Sequence, residues 1–121
     1  FVRLRSTEAQ FNDLLKIGTS GVLSFFGNEI CSINKRTWND VVILIDFAEK
    51  QASLYLNGKC KAENMPFPNQ NFNTLGLIRF QYPSTNSSGA MYLDNIRFYE
   101  GTEQREAKKN TLRLKVMLLK A

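Results

Sequence analysis

Histidine is absent from this chain, so acid–base chemistry and binding fall to carboxylates, amides, hydroxyls, phenols, lysine and arginine cations and two thiols. Without an imidazole, the usual general base and the commonest metal ligand are both missing. Nor does the sequence contain a GxSxG elbow, a phosphate-binding glycine loop or a dinucleotide fingerprint. Cys31 and Cys60 form no CxxC pair, and their spacing fits no metal or redox motif; one disulfide and two buried thiols are equally consistent with it. What remains is a set of groups suited to binding. Asn69, Asn71 and Asn73 make an amide cluster in one polar stretch, Tyr82 closes the apolar run that follows, and Tyr55, Tyr92 and Asn86 are further candidates. Exposed aromatics stack on sugar rings while amides bond their hydroxyls. Against this stands the plainer reading that loop asparagines serve turns and sandwich aromatics serve the core.

The elements that must position these groups are short strands. Phe1 to Arg5 alternates with period two, Asp13 to Ile17 and Val22 to Phe26 flank the Gly18–Gly21 turn, and Glu29 to Ile33 follows. The strongest pattern runs from Trp38 to Lys59. Val41 to Ile45 is a β-branched run, residues 48–51 break it, Ser53 to Leu56 resumes, and Asn57-Gly58 supplies the two positive-φ residues of a type I′ hairpin turn into Lys59–Lys61. Trp38, the only tryptophan, is expected to plug one end of the core with its apolar area. Glu63 to Asn73, with Pro66 and Pro68, is read as a surface loop because proline cannot donate to a sheet ladder. Thr74 to Tyr82 and Ala90 to Tyr99 read as strands, joined by a polar loop at 83–89 that contains the glycosylation-like Asn86-Ser87-Ser88.

A chain of 121 residues, 43% hydrophobic, with nine Phe, four Tyr and only three Pro, has material for one domain with a single core. The expected fold class is all-β, an antiparallel two-sheet sandwich of jelly-roll type over residues 1–101, incomplete if opening strands are lacking. Residues 102–121 form a basic C-terminal extension or the start of a neighbouring element, strand or helix. This extension holds six cations against two acids, most of the net charge of +5. That placement reads as a solvated end rather than a basic stripe on a folded face, so no nucleic-acid partner is expected. No apolar stretch approaches the roughly 18 residues of a membrane span, and no signal-peptide pattern opens the chain.

The order of Trp38, the apolar-Asp strand Val41 to Asp46, the strand and turn Leu54 to Gly58, and Leu93-Asp94-Asn95-Ile96 resembles the later part of a concanavalin A-like or laminin G-like jelly-roll domain. The resemblance covers roughly residues 20–100. It implies a noncatalytic, lectin-like carbohydrate-binding module of a larger extracellular or cell-surface protein, with a glycan or polysaccharide as partner and neighbouring domains of a parent chain as further partners. The alternatives it carries are a structural or protein-interaction sandwich and a fragment of a polysaccharide lyase or glycoside hydrolase. Asp46-Phe47-Ala48-Glu49 departs from the Glu-x-Asp-x-x-Glu strand of the family's hydrolases, so this chain is read as not an enzyme. Tyr82, Asn71 and Asn73 lead as ligand-binding residues, followed by Asn69 and Tyr92. No cofactor is required; the family's use of Ca²⁺ makes Asp94 and Asp46 the metal candidates, against a reading in which Asp94-Asn95 satisfies a bulge or turn.

Overall fold

Each alternating run has one apolar face to bury, and two sheets laid face to face bury both. The computed structural model describes residues 2–18, 20–73, 75–81, 89–100 and 109–120. Its strands are β1 (Val2–Ser6), β2 (Phe11–Ile17), β3 (Val22–Phe25), β4 (Asn28–Ser32), β5 (Asn39–Asp46), β6 (Gln51–Leu56), β7 (Lys59–Pro66), β8 (Leu75–Phe80), β9 (Gly89–Glu100) and β10 (Lys109–Lys120). Among the described residues there is no helix. The first sheet runs β4-β3-β2-β1-β8 and the second β7-β6-β5-β10-β9, with antiparallel pairing throughout. The all-β, two-sheet sandwich expected from the sequence is therefore the fold.

Burial follows the alternation. Val41, Ile43 and Ile45 of β5, Leu54 of β6 and Leu112, Leu114 and Val116 of β10 meet Leu4, Leu14, Leu23 and Phe25 of the first sheet in one core. The hairpin at Asn57-Gly58 has φ of 51° and 81°, as a type I′ turn requires. The sequence of the C-terminal part is compatible with helix or strand. Lys109–Lys120 is a strand inserted between β5 and β9, so Arg113 and Lys115 stand on a folded face rather than on a solvated end.

Two expectations are corrected. The first concerns Glu63 to Asn73, read as loop throughout: β7 continues to Pro66, and only 67–73 is irregular. Edge position explains it, since β7 ends its sheet and an edge strand tolerates a proline that donates nothing outward. The second concerns Trp38. It is 42% exposed and plugs nothing; the residue that seals its end of the sandwich is Asn39, fully buried at the start of β5. Asn39 Nδ2 donates to the carbonyls of Asn34 (2.8 Å), Thr37 (3.1 Å) and Val116 (3.3 Å). Its Oδ1 accepts from Asn34 N–H (3.1 Å) and Asn57 Nδ2 (3.1 Å).

The apolar plug lies at the other end of β5. There Phe25, Phe26, Phe47, Phe67 and Phe72 stack and tilt against one another with ring centroids 4.7–6.0 Å apart. Phe67 and Phe72 are buried from within the 67–73 loop, which sequence patterning alone left on the surface.

Removing the Asn39 side chain strands backbone groups of the 34–37 connection and of β10 together with the side-chain amide of Asn57, whereas Trp38 loses half-exposed surface. Asn39→Ala is expected to lower the free energy of unfolding by about 3 kcal/mol, and Trp38→Ala by about 1 kcal/mol or less. Urea denaturation followed by circular dichroism checks this, and equal losses would refute it.

Candidate functional site

The outer face of the second sheet is the best-formed candidate. Residues directly paired across an antiparallel ladder share a face. Tyr55 pairs with Val42 and Val42 with Arg113, which in turn pairs with Arg97. One row along, Asp40 pairs with Lys115 and Lys115 with Asp94. Four strands thereby place an aromatic, an aliphatic side chain and several charged groups on one surface.

Two adjoining depressions mark this surface. One, of about 410 Å³, is lined by Asp40, Val42, Leu44, Tyr55, Gly58, Thr111 and Arg113. The other, of about 360 Å³, is lined by Asp40, Asn95, Arg97, Arg113 and Lys115. Asp40 and Arg113 belong to both and form a two-pronged ion pair, Nε to Oδ1 at 3.3 Å and the terminal nitrogen to Oδ2 at 3.0 Å. Asp40 is held from behind: its N–H donates to Asn57 Oδ1 at 2.8 Å and its carbonyl accepts Asn57 N–H at 2.8 Å. The Asn57-Gly58 turn thus fixes the acid that positions Arg113. Val42, Leu44 and Tyr55 are only half-buried, which leaves an apolar strip beside the ion pair.

The residues singled out from the sequence fall in three places. Tyr92 is exposed on this outer face, where it pairs with Met117. Asp94 is also here, but its Oδ1 accepts the N–H of Asn95 at 2.8 Å, where Asn95 takes φ 51° and the β9–β10 register shifts. That is the bulge geometry in which an acid satisfies its own backbone. Asp46 caps the β5–β6 turn by accepting Glu49 N–H at 3.0 Å. Asp46 pairs with Lys109 and Asp94 with Lys115 on the two sides of β10, so they lie about 20 Å apart along the strand and share no ion. Among the described residues no group of three or more His, Cys, Asp or Glu could hold a metal.

The asparagine cluster lies at the opposite end from Tyr92. Asn69 N–H donates to Asn12 Oδ1 at 2.8 Å, and Asn12 Nδ2 returns a bond to Asn69 O at 3.1 Å. Asn69 Nδ2 reaches Gln10 Oε1 at 3.0 Å, and its Oδ1 accepts Asn71 N–H at 3.0 Å. The buried Asn12 side chain of β2 therefore straps the loop through the Asn69 backbone and helps to hold Phe67 and Phe72 in the core. Asn71 and Asn73 are exposed. Tyr82, Asn86, the rest of the 82–88 segment and residues 101–108 of the C-terminal part lie outside the described residues. The sequence missed Asp40, Arg97, Arg113 and Lys115, because nothing local signals that β10 inserts beside β5. The one signal on hand was the alternation of Arg113 and Lys115 with leucine and valine.

Cys31 on β4 and Cys60 on β7 are free thiols, the first partly buried and the second exposed. Burial pushes the Cys31 thiol up, with Lys61 acting in opposition. A limiting alkylating agent at neutral pH should label Cys60 before Cys31, as read by peptide mass mapping, since a raised pKa lowers the thiolate fraction. Asn12→Ala is expected to cost about 2 kcal/mol by stranding the backbone N–H and carbonyl of Asn69 and releasing the strap. Asn71→Ala and Asn73→Ala should stay within about 0.5 kcal/mol of the parent in the same denaturation assay. The chain matches no known family model, and neither a curated protein nor a solved structure matches it; the architecture stands as a two-sheet antiparallel sandwich.

Proposed function

We propose that this chain is a noncatalytic carbohydrate-binding sandwich whose glycan lies across the outer face of the second sheet, as a module of a larger extracellular or cell-surface protein. The observation that carries the reading is the strip of Tyr55, Val42 and Leu44 beside the Asp40–Arg113 pair. The hydrophobic face of a sugar ring packs on such a strip, and a fixed carboxylate–guanidinium pair offers acceptors and donors to neighbouring hydroxyls. A noncatalytic role is supported by how the aspartates are used: Asp13 and Asp40 are ion-paired to arginines, and Asp46 and Asp94 bond backbone amides. Retaining or inverting hydrolysis needs two carboxyl groups facing each other across a cleft. The concanavalin A-like resemblance adds lectins and glycan-binding modules to the comparison.

One observation favours a second reading, a protein-interaction domain. On β9, Leu93 and Phe98 share the inner face with Val116 and Leu112, and Ile96 lies two residues before Phe98, yet these side chains are 37–46% exposed. A neighbouring domain would cover them.

Calorimetry against a panel of neutral oligosaccharides tests the first reading. Tyr55→Ala should weaken the best ligand about tenfold, the loss expected when one stacking aromatic is removed. A folded sample silent across neutral and acidic glycans sinks it, and co-purification with the parent chain through β9 would favour the second.

A further inference from the structure

The outer face of the first sheet carries a basic patch that the proposed platform does not use, and we propose that it binds the carboxylate or sulfate groups of an acidic polysaccharide. The patch is made by pairing, not by sequence proximity. In β1, Arg3 stands opposite Arg79 of β8 and Asp13 of β2, while Arg5 stands opposite Leu77 and Phe11. All six side chains therefore project from one face across three adjacent strands.

Like charges directly opposite in a ladder destabilise it, and Arg3 and Arg79 are such a pair. Asp13 answers one of the charges, with Arg3 Nε 2.6 Å from Oδ1 and its terminal nitrogen 3.3 Å from Oδ2. Arg5 and Arg79 are exposed and have no hydrogen bond or ion pair among the described residues. Arg3, Arg5 and Arg79, with Ala9, Phe11 and Leu77, line a depression of about 230 Å³ to which no acid among the described residues contributes. Two uncompensated guanidinium groups beside an opposed like-charge pair are an arrangement that an anion stabilises.

The surroundings select the kind of anion. Three neighbouring strands about 4.8 Å apart form an open surface suited to an extended chain rather than to one enclosed small ion. Leu77, 41% exposed, and Ala9 give apolar surface against which a sugar ring can rest. Phe11 is also exposed, but the Arg3 guanidinium stands 4.2 Å from its ring centroid and occupies a face that a nucleobase would need for stacking. The polysaccharide class rests on the carbohydrate reading above; the demand for negative charge does not, and the two surfaces lie on opposite sides of the molecule.

The test compares the full chain with Arg5→Ala/Arg79→Ala in affinity measurements on polygalacturonate, dextran sulfate, neutral dextran and single-stranded oligothymidylate. The parent should bind at least one acidic polymer, with affinity falling as salt rises. Whichever binds more tightly identifies the acidic group. The double variant should lose about tenfold or more of that affinity while keeping its thermal unfolding midpoint, and Arg5→Lys/Arg79→Lys should recover part of it. Tyr55→Ala, on the other face, should leave it unchanged. Equal binding by the parent and the double alanine variant overturns the proposal, as does oligothymidylate bound as tightly as the acidic polymers. Neutral binding lost in Tyr55→Ala with acidic binding retained supports both sites separately. Neutral binding absent from the parent, with acidic binding intact and arginine-dependent, removes the platform reading alone.

Discussion

A sandwich of two twisted sheets is open at both ends, and an unsealed end exposes apolar side chains and leaves loop backbone unpaired. This molecule closes its two ends by opposite means. At the Asp46 end of β5 five phenylalanines fill the gap. At the other, the buried amide of Asn39 joins the β4–β5 connection, the β6–β7 turn and β10. A polar group buried this completely is tolerated only because both of its ends are satisfied. The energetic asymmetry follows: thinning the aromatic plug removes packing in proportion to volume, whereas cutting Asn39 leaves several partners without bonds at once.

The hub also reaches the outer surface. Asn57 donates to Asn39 and, through its own Oδ1, holds the N–H of Asp40. Asp40 in turn holds Arg113. The interior seal and the exterior ion pair therefore share one turn, whose conformation demands positive φ at both central residues. That chain of bonds gives the exposed pair a fixed backbone behind it, a condition that isolated surface ion pairs lack and that limits their worth to about 1 kcal/mol or less.

Local pattern was enough for some of this and not for the rest. The alternation of Val41 to Ile45 and the Asn57-Gly58 turn are properties of adjacent residues, and both were legible. Trp38 was misread because a large aromatic beside a strand is a reasonable plug, while its neighbour Asn39 looks like any polar residue until β10 arrives beside it. Pro66 was misread because a proline forbids a central strand but not an edge strand, and edge position is a property of the whole sheet. The loop phenylalanines were missed for a related reason. Phe67 and Phe72 lie among prolines and asparagines that mark a surface segment, and only long-range ties, the strap from the Asn12 side chain to Asn69 and the bond from Phe67 N–H to the Lys50 carbonyl, fold the segment inward.

The charged residues make the same point more sharply. Counted along the chain, the positive excess sits at the C-terminal end; placed in the fold, Arg113 and Lys115 stand in the middle of the second sheet, and Arg3, Arg5 and Arg79 meet on the first. Strand pairing, which is blind to charge in its backbone bonds, decides which side chains become neighbours. Arg3 and Arg79 meet because Leu4 and Ile78 must face the core in register, and a slip of one residue would turn Ile78 and Phe80 away from it. The opposition of two arginines is thus imposed by the interior. Asp13 relieves it on one side only, so the outer face retains a field that burial created and that no acid among the described residues lining the Arg5–Arg79 depression neutralises.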